Sequence, residues 1–351
     1  MTRNTTERAL GPVASAALLV GGIWLGASII KRMWRRTPDV RGRVALVTGG
    51  SRGLGLLIAK ELGRAGMKVV IAARDSAELD RARQQLLAAG IEEVSTIVTD
   101  LADDADAELV VAAVIERYGS LDLLVNNAGT IKVGPFDDMT TADYDEAMAV
   151  HLWAPLRTMR AAIPHMRAQG GGRIVNISSI GGKVGVPHLI PYCASKFALT
   201  GLSSAMGAEL RREGISVTTV CPGLMRTGSF FNAWFKGQHR QEFAWFAIAD
   251  STPVLSVSAQ RAAEQVVDAA LRGDAELVIG WPARLAVVAS AALPNTFAAL
   301  MAFSNRLLPS PTESGSSESH AGWQSTSRWA PSVLTRLSDR PAAQNNELPA
   351  S

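Results

Sequence analysis

Short apolar runs alternate with longer amphipathic stretches from residue 43 to residue 282. The runs Val44–Thr48, Lys68–Ala73 and Val94–Val98 have the length and the branched residues of buried strands, and an amphipathic helical pattern follows each of them. The same alternation predicts four later strands: Leu121–Val125, Arg173–Ile177, Ile215–Val220 and Glu276–Ile279. Alternating strands and helices are typical of an α/β fold with a parallel sheet.

The helices predicted between these strands cover most of the intervening chain. Their expected bounds are Leu54–Ala65, Ser76–Ala89, Asp104–Tyr118, Thr141–Arg167 and Ser258–Leu271, with one further helix around Tyr192. The long segment from Thr141 to Arg167 is expected to bend at Pro155, because proline interrupts the hydrogen-bond ladder of a helix.

An uncharged run, Ala9–Ile30, precedes the alternating region and is followed at once by the basic segment Lys31–Arg36. About twenty apolar residues suffice to cross a bilayer as a helix, and flanking positive charge favours the cytoplasmic side. This predicts a polar N-terminus (1–12), a transmembrane helix (13–30) and a basic linker (31–42). The expected location is the membrane, single-pass, with the catalytic domain in the cytoplasm. A cleaved signal peptide, with small residues at Gly26–Ser28, is the rival interpretation.

A second uncharged run, Leu285–Ser304, lies between Arg284 and Arg306 and is interrupted at Pro294. Residues 283–308 are therefore predicted to be an apolar helical extension, either a helical hairpin or a segment at the membrane interface. The chain is rich in serine and proline from residue 309 onward and shows no sustained period. Residues 309–351 are predicted to be a disordered tail, apart from a short helix near Trp329–Leu337.

Composition narrows the class of protein only slightly. The chain has 351 residues, of which 47% are hydrophobic, and it is long enough to bury a substantial core. Its net charge of +3 is too small to indicate nucleic-acid binding. Its two cysteines, Cys193 and Cys221, argue against a disulfide framework. Its five histidines show no spacing typical of a metal site.

A glycine-rich loop joins the first predicted strand to the first predicted helix. It reads Thr-Gly-Gly-Ser-Arg-Gly-Leu-Gly, with glycines at positions 49, 53 and 55. Glycines at these positions permit a tight turn and let a pyrophosphate approach the N-terminus of the following helix. The strand, loop, helix and second strand together form the unit that dinucleotide binding requires.

A second group of residues has the composition of a proton-transfer site. Tyr192 and Lys196 are four positions apart and share one face of a helix. An ammonium beside a phenol is expected to lower the pKa of the phenol, which would let Tyr192 exchange a proton near neutral pH. Ser179, thirteen positions before Tyr192, follows a predicted strand and can hydrogen-bond the same substrate oxygen.

The glycine loop and these three residues resemble the short-chain dehydrogenase/reductase family, whose signatures are Thr-Gly-x-x-x-Gly-x-Gly and a serine about thirteen positions before Tyr-x-x-x-Lys. The resemblance covers residues 43–282. It implies a doubly wound Rossmann fold with about seven parallel strands, here carrying an N-terminal transmembrane helix. It also implies hydride transfer between NADP(H) and a carbonyl, with Tyr192 as proton donor, Lys196 as its partner and Ser179 orienting the oxygen.

Two arginines favour NADP over NAD. The second strand ends at Ala73, where an acidic residue would bind a ribose hydroxyl, and Arg74 follows it; Arg52 lies in the glycine loop. Guanidinium groups bind phosphate well. The cofactor-binding residues implied by the motifs and the resemblance are Gly49, Ser51, Arg52, Gly53, Leu54, Gly55, Arg74, Asp100, Leu101, Asn126, Ala128, Gly129, Tyr192, Lys196, Pro222, Gly223 and Thr227.

One position departs from the family pattern. The family usually has an asparagine in the helix after Asn-Ala-Gly, and this chain has His151. In the family that asparagine helps to hold a water beside the active-site lysine. Imidazole can relay protons, so His151 joins the catalytic candidates. A tolerated polar replacement is the alternative.

Seven aromatic residues lie between Phe230 and Phe246, where the family has a segment that covers the substrate. They indicate either a bulky apolar substrate or ordinary packing of a helical insertion. The sequence thus predicts an NADP(H)-dependent oxidoreductase that interconverts a carbonyl and an alcohol on a lipid, steroid-like or retinoid-like substrate. A catalytically weak, membrane-tethered NADP-binding regulator is the alternative. The expected partners are the substrate, the membrane and a second copy of the chain, and no nucleic acid.

Overall fold

A parallel sheet of seven strands lies at the centre of the protein in a computed structural model, which describes residues 38–312, 318–332 and 335–348. In chain order the strands are β1 Val44–Thr48, β2 Lys68–Ala73, β3 Val94–Val98, β4 Leu123–Asn126, β5 Gly172–Ile177, β6 Ile215–Pro222 and β7 Glu276–Ile279. Their order across the sheet is β3-β2-β1-β4-β5-β6-β7. The expected doubly wound Rossmann fold with seven parallel strands is confirmed.

Helices pack on both faces of this sheet. They are α1 Gly53–Arg64, α2 Ser76–Ala88, α3 Asp104–Tyr118, α4 Thr141–Met148, α5 Ala154–Ala168, α6 Ile190–Leu210, α7 His239–Ser251 and α8 Ala259–Arg272. One core contains buried residues of α1, α2 and α8, and the other contains buried residues of α3 and α5. Because both faces are covered, the strands are mainly apolar and largely buried, as β1 shows with all five residues buried.

The segment predicted as one long bent helix contains three parts. The helix α4 ends at Met148, a wide π-helical turn spans Ala149–Trp153, and α5 begins at Ala154. Pro155 lies in the first turn of α5 and has no N–H to continue the ladder. Pro155 is therefore preceded by an inserted turn, which carries His151.

Two short helices follow the sheet. They are α9 Trp281–Ala292 and α10 Pro294–Asn305, and they contact each other. Ala283 is the buried residue of α9, and α10 has none. The hairpin exposes large apolar side chains, namely Trp281, Leu285, Val288, Leu293, Leu300 and Phe303. This apolar surface lies in the segment for which a helical hairpin or an interfacial segment was expected.

The predicted transmembrane helix, residues 13–30, lies outside the described residues, as do the polar N-terminus and most of the basic linker. Among residues 38–312, 318–332 and 335–348, no helix combines the length and the hydrophobicity needed to cross a bilayer. The membrane anchor therefore stays a prediction.

The tail differs from the expectation of disorder. Residues His320–Ala321 pair with Trp234–Phe235, which in turn pair with Lys132–Val133, in a small three-stranded sheet. Helix α11, Arg336–Gln344, lies further along than the helix expected near Trp329–Leu337. The described tail is ordered by long-range contacts with the domain, which local composition does not reveal.

Candidate active site

The carboxyl ends of the parallel strands bring the predicted site residues to one edge of the sheet. The glycine loop follows β1, Arg74 follows β2, and Asp100 and Leu101 follow β3. Asn126 ends β4, Ser179 follows β5, and Pro222 ends β6. A parallel sheet places all these positions along the same edge, which is where ligands bind in open α/β folds.

The glycine loop turns at residues that only glycine accommodates easily. Gly49 and Gly53 have positive φ angles of 61° and 56°. A Cβ on Gly55 would meet the carbonyl oxygen of Gly49 at 2.1 Å, so helix α1 can start close to β1 only without a side chain there. The backbone N–H of Gly53 points out of the loop to an external acceptor. This arrangement is suited to an anionic ligand at the N-terminus of α1, although Leu54 itself is buried.

Two residues that the sequence did not single out fix this loop. Thr48 accepts hydrogen bonds from the backbone N–H groups of Asn127 (3.0 Å) and Ala128 (3.2 Å) through its hydroxyl oxygen. The Asn127 amide donates to the carbonyl oxygens of Thr48 and Gly49 at 3.1 and 3.0 Å. The turn after β4 therefore supports the turn after β1. The sequence did contain a signal for both residues, because Thr48 ends the first strand and Asn127 directly follows the fourth, which is its neighbour in the sheet.

Some predicted cofactor residues have structural roles in the described chain. The buried Asn126 side chain donates to Asn176 and accepts from Thr158. It therefore links β4 to β5 and to helix α5. Asp100 is exposed and accepts from the backbone N–H of Ala102. Leu101 is buried, whereas Gly129 is exposed. Of these residues, Asp100 presents an exposed carboxylate at the ends of the strands.

The two arginines proposed for NADP have different surroundings. Arg52 donates to Glu78 at 2.7 Å, and its Nε lies 3.7 Å from Glu347. Ser51 donates to the same Glu78 carboxylate at 3.0 Å. Arg74 is exposed and has no ion pair within the described part of the chain. Arg74 is therefore the guanidinium that is available to an incoming phosphate.

The three catalytic candidates meet at the start of α6. Ser179 lies close enough to the Tyr192 side chain to lower the pKa of its phenol. The Lys196 Nζ lies 5.7 Å from the centroid of the Tyr192 ring and donates to the carbonyl oxygen of Ile177 at 2.8 Å. The Ser179 hydroxyl also accepts from the backbone N–H of Gly181 at 3.1 Å, which fixes its position after β5. The spacing read from the sequence therefore corresponds to one constellation in space.

The pKa of Tyr192 differs from the sequence-based expectation. Burial raises the pKa of Tyr192 to about 12, although Ser179 opposes this rise. Burial also lowers the pKa of Lys196 to about 7, so that part of its population is neutral at pH 7. The Lys196 side chain donates to the Ile177 carbonyl in this form of the protein, and burial is the dominant influence on the pKa of Tyr192.

His151 is held by hydrogen bonds at both ring nitrogens. Its Nε2 accepts from the backbone N–H of Thr130 at 3.1 Å, so its Nδ1 carries the proton and donates to Ser195 at 2.8 Å. Ser195 in turn donates to the carbonyl oxygen of Tyr192 at 2.9 Å. Burial, reinforced by Lys196, lowers the pKa of His151 well below its ordinary value. The imidazole is therefore neutral, with its ring edge-on to Tyr192 at 5.4 Å between centroids.

The aromatic residues between Phe230 and Phe246, here called the aromatic insertion, pack mainly against one another. Phe230, Phe235 and Phe243 are fully buried and form a third core that includes Leu189 and Cys193 and borders Tyr192. Inside this core, Glu242 binds His188 (2.8 Å) and Trp245 (2.6 Å). Ordinary packing therefore accounts for these three phenylalanines.

The loop after β6 begins at Pro222 and Gly223. The backbone N–H of Gly223 donates to Ile279 of β7 at 2.9 Å, which anchors the start of the loop. The buried Thr227 hydroxyl accepts from the backbone N–H of Ser229 at 3.0 Å. Asn345, from the tail, donates to the Thr227 carbonyl at 3.5 Å. This loop thus contacts both the sheet and the tail.

A Rossmann sheet with a glycine loop at the start of α1 and a Ser-Tyr-Lys constellation at the strand ends defines the class of dinucleotide-dependent oxidoreductases. The sequence model of the short chain dehydrogenase family matches residues 43–235, and the chain belongs to this family. Membership makes the protein an oxidoreductase acting on carbonyl and CH–OH groups.

Two curated relatives illustrate the range of this similarity. A putative ketoacyl reductase from Streptomyces coelicolor is 41% identical over 186 residues, which cover 52% of this chain and 71% of that protein. A dehydrogenase/reductase SDR family protein 7-like from Anopheles gambiae is 34% identical over 248 residues, which cover 66% of this chain and 76% of the relative.

Solved structures show the same similarity. An actinorhodin polyketide ketoreductase variant with NADPH has a TM-score of 0.61 and 34% identity, and the match covers 68% of this chain and 96% of that one. L-sorbose reductase from Gluconobacter frateurii, complexed with NADPH and L-sorbose, has a TM-score of 0.62 and 25% identity, and the match covers 70% and 97% of the two chains. About a third of this chain therefore lies outside the fold shared with the ketoreductase.

Proposed function

We propose that this oxidoreductase uses NADP(H) to interconvert a carbonyl and an alcohol on a bulky apolar substrate, with Tyr192 as the general acid and base. The observation that carries this proposal is the meeting of Ser179, Tyr192 and Lys196 at the edge of the sheet. No other tyrosine in the described chain lies beside both a strand-end serine and a buried lysine.

The cofactor assignment is supported by the residues and by the relatives. The N-terminus of α1 and the glycine turns fit a pyrophosphate, and the exposed Arg74, without an ion pair among the described residues, fits a 2′-phosphate. Two of the solved relatives are NADPH complexes. When bound, NADPH supplies the hydride.

The protein's own residues provide the proton and its orientation. A neutral Tyr192, whose pKa is about 12, holds its proton and can donate it to a carbonyl oxygen that becomes basic as it is reduced. The Ser179 hydroxyl offers a second hydrogen bond to that oxygen. Lys196 lies close enough to the ring to stabilise the phenolate that remains.

An apolar substrate is supported by the surroundings of Tyr192. Leu189, Ile131 and Val186 belong to the same apolar cluster as the phenol ring, together with Phe231 of the aromatic insertion. A polyhydroxylated substrate would leave several hydroxyl groups without partners against these side chains. The buried phenylalanines of the insertion support the fold more than they support this assignment.

Attachment to the membrane completes the proposal. Residues 13–30 would form a single transmembrane helix, with the catalytic domain on the cytoplasmic side. The exposed apolar side chains of α9 and α10, between Arg284 and Arg306, support a second contact with the lipid surface. A homo-oligomer stays a prediction.

Substrate screening tests the function directly. We expect purified full-length protein to consume NADPH with long-chain or polycyclic ketones and aldehydes. Its kcat/KM for these substrates should exceed that for short polar analogues with the same carbonyl group by at least about tenfold. Burial of about two methylene groups is sufficient for a preference of that size. A preference for the polar analogues would contradict the apolar substrate. Cofactor binding with no turnover across both panels would favour the alternative of a tethered NADP-binding regulator.

A further inference from the structure

The end of the described tail lies directly on the glycine loop. Residues 335–348, here called the strap, include α11 and the buried residues Asn345, Asn346 and Glu347. The backbone N–H of Gly53 donates to the carbonyl oxygen of Asn345 at 2.8 Å. The Asn346 amide donates to the carbonyl oxygen of Ser51 at 2.9 Å. The outward-pointing N–H of Gly53 therefore has its hydrogen-bond acceptor in the strap.

The side chain of Glu347 occupies the space above Gly53. A Cβ built on Gly53 would meet the Glu347 Oε1 at 2.3 Å, and Arg52 lies 3.7 Å from Oε2. Glu347 is 4% exposed. A carboxyl group thus lies between the N-terminus of α1 and a guanidinium, which are the two features that recognise a phosphate group.

The strap also contacts the loop after β6. Asn232 donates to the carbonyl and carboxyl oxygens of Glu347 at 2.7 and 2.6 Å. A Cβ on Gly228 would meet the Cβ of Ala342 at 2.2 Å, so the two backbones are in close contact. Asn345 reaches Thr227, one of the predicted cofactor residues. The strap therefore joins the two loops between which an extended dinucleotide would lie.

We propose that the strap is an internal ligand of the dinucleotide site, in which Asn345 and Glu347 occupy the position of the cofactor pyrophosphate, so that NADP(H) and the strap exclude each other. The docked strap defines a resting form of the oxidoreductase. Cofactor binding requires the strap to leave the glycine loop, and any partner that holds the strap away activates the protein.

The composition of the contact supports competition over simple extension of the core. Core extension would bury apolar side chains, as Ala342 does in the third core. The end of the strap instead buries three consecutive polar residues against loop donors and acceptors. Arg81 contributes a further hydrogen bond to Asn346 at 3.0 Å. These contacts can be exchanged for those of a phosphate ligand, or of water, at modest net cost.

Point variants of the full-length chain separate the docked and free forms. Ala342→Arg places a long side chain against Gly228 and should displace the strap. Ala343→Arg adds the same charge at the adjacent exposed position and is the matched control. If the strap is free in only about a tenth of the molecules, its displacement tightens NADPH binding about tenfold. Glu347→Ala, which removes the carboxyl group without adding bulk, should act in the same direction.

Two measurements decide the outcome. NADPH affinity, from a fluorescence titration, should increase in Ala342→Arg and Glu347→Ala and stay unchanged in Ala343→Arg. Amide hydrogen exchange in residues 342–348 of the unmodified protein should become faster when NADPH is added. Slower exchange on adding NADPH, or weaker NADPH binding in both displaced variants, would overturn the proposal, because the strap would then be closing over the cofactor. Neither measurement depends on turnover, so their result is independent of the role of Tyr192.

Discussion

His151 donates a hydrogen bond of 2.8 Å to Ser195, which connects the π-helical turn to helix α6. Ser195 in turn donates to the backbone carbonyl of Tyr192. His151 occupies the position of a family asparagine, yet the structure gives it fixed partners on both nitrogens. A histidine that is buried and neutral in this way positions the helix that carries Tyr192. The geometry therefore favours a positioning role over the alternative of a proton relay.

Replacing His151 should affect stability and leave the shape of the pH profile unchanged. We expect His151→Ala to lower the free energy of unfolding by about 2–5 kcal/mol, because Thr130 and Ser195 each lose a partner and a cavity is left. Urea unfolding measures this loss. Trp153→Ala, at an exposed position of the same π-helical turn, is the control and should cost less than about 1 kcal/mol. If the substitution removed an ionisation near pH 6–7 from the pH–rate profile, His151 would be a proton relay after all.

Tyr192→Phe should abolish most of the turnover. Removal of a positioned proton donor lowers the rate by roughly a hundredfold or more, while the NADPH affinity should change little because the ring is retained. Steady-state kinetics and a cofactor titration measure the two effects separately. Tyr144→Phe, which removes a hydroxyl from helix α4, is the control. Near-normal turnover in Tyr192→Phe would exclude Tyr192 as the general acid.

Arg74→Ala should change the choice of cofactor. A charge-assisted hydrogen bond contributes about 1.5–3 kcal/mol, so the loss of Arg74 should weaken NADPH binding roughly tenfold or more and leave NADH binding unchanged. Arg83→Ala, which removes an exposed guanidinium from the following helix, is the control. Equal losses for the two cofactors would show that Arg74 does not bind the 2′-phosphate.

The docking of the strap should depend on pH through Glu347. Burial, reinforced by Glu78, raises the pKa of Glu347 from 4.5 to about 7, although Arg52 and Asn232 oppose this rise. The docked form therefore holds a proton that the free strap releases, and docking weakens as pH rises from about 4.5 to about 7, by at most about tenfold per pH unit. Above pH 7 it should level off.

Hydrogen exchange in residues 342–348, corrected for the intrinsic effect of pH, measures this dependence. Asp250, whose pKa is raised to about 7 by burial and further by the Glu347 charge, is a second source of pH dependence. Glu347→Gln keeps the size of the side chain and cannot ionise, so it isolates the contribution of Glu347. A pH dependence that was unchanged in Glu347→Gln would assign the effect to Asp250.

Membrane attachment can be divided between the two apolar segments. We expect full-length protein to stay in the membrane fraction through salt and carbonate washes, because salt does not screen the burial of about twenty apolar residues. Deletion of residues 1–36 should release the protein if the first segment alone holds it. If the truncated protein still binds vesicles, Leu300→Asp in helix α10 should abolish that binding, whereas Leu109→Asp at an exposed position of α3 should not. Recovery of intact full-length protein in the soluble fraction would contradict the anchor.

The parts of the fold that depend on local pattern could be predicted from the sequence. Strands β3 and β7 begin and end where their apolar runs do, and β4 begins two residues later than expected, at Leu123. The glycine loop and the Ser-Tyr-Lys spacing, read with the family resemblance, predicted which residues meet at the carboxyl edge of the sheet. Such spacing is informative because fixed offsets along a strand or a helix translate directly into fixed positions in space.

The contacts made by distant segments could not be predicted in this way. The run Asn345–Glu347 is polar and lies in a serine- and proline-rich tail, so its composition is that of a solvated segment. Its partners, Ser51, Gly53 and Asn232, are far away along the chain, and nothing in the local pattern identifies them. The pKa of Tyr192 was missed for the same reason, since it depends on burial by other segments.

The three-stranded sheet formed by Lys132–Val133, Trp234–Phe235 and His320–Ala321 has a consequence for the order of ligand binding. It ties the tail to the aromatic insertion beside Tyr192, while the same tail continues towards the strap on the glycine loop. If the nucleotide displaces the strap as proposed, we expect the contacts of the tail beside Tyr192 to weaken as well. The nucleotide should then bind before the carbonyl compound, and steady-state kinetics should be of the compulsory-order type.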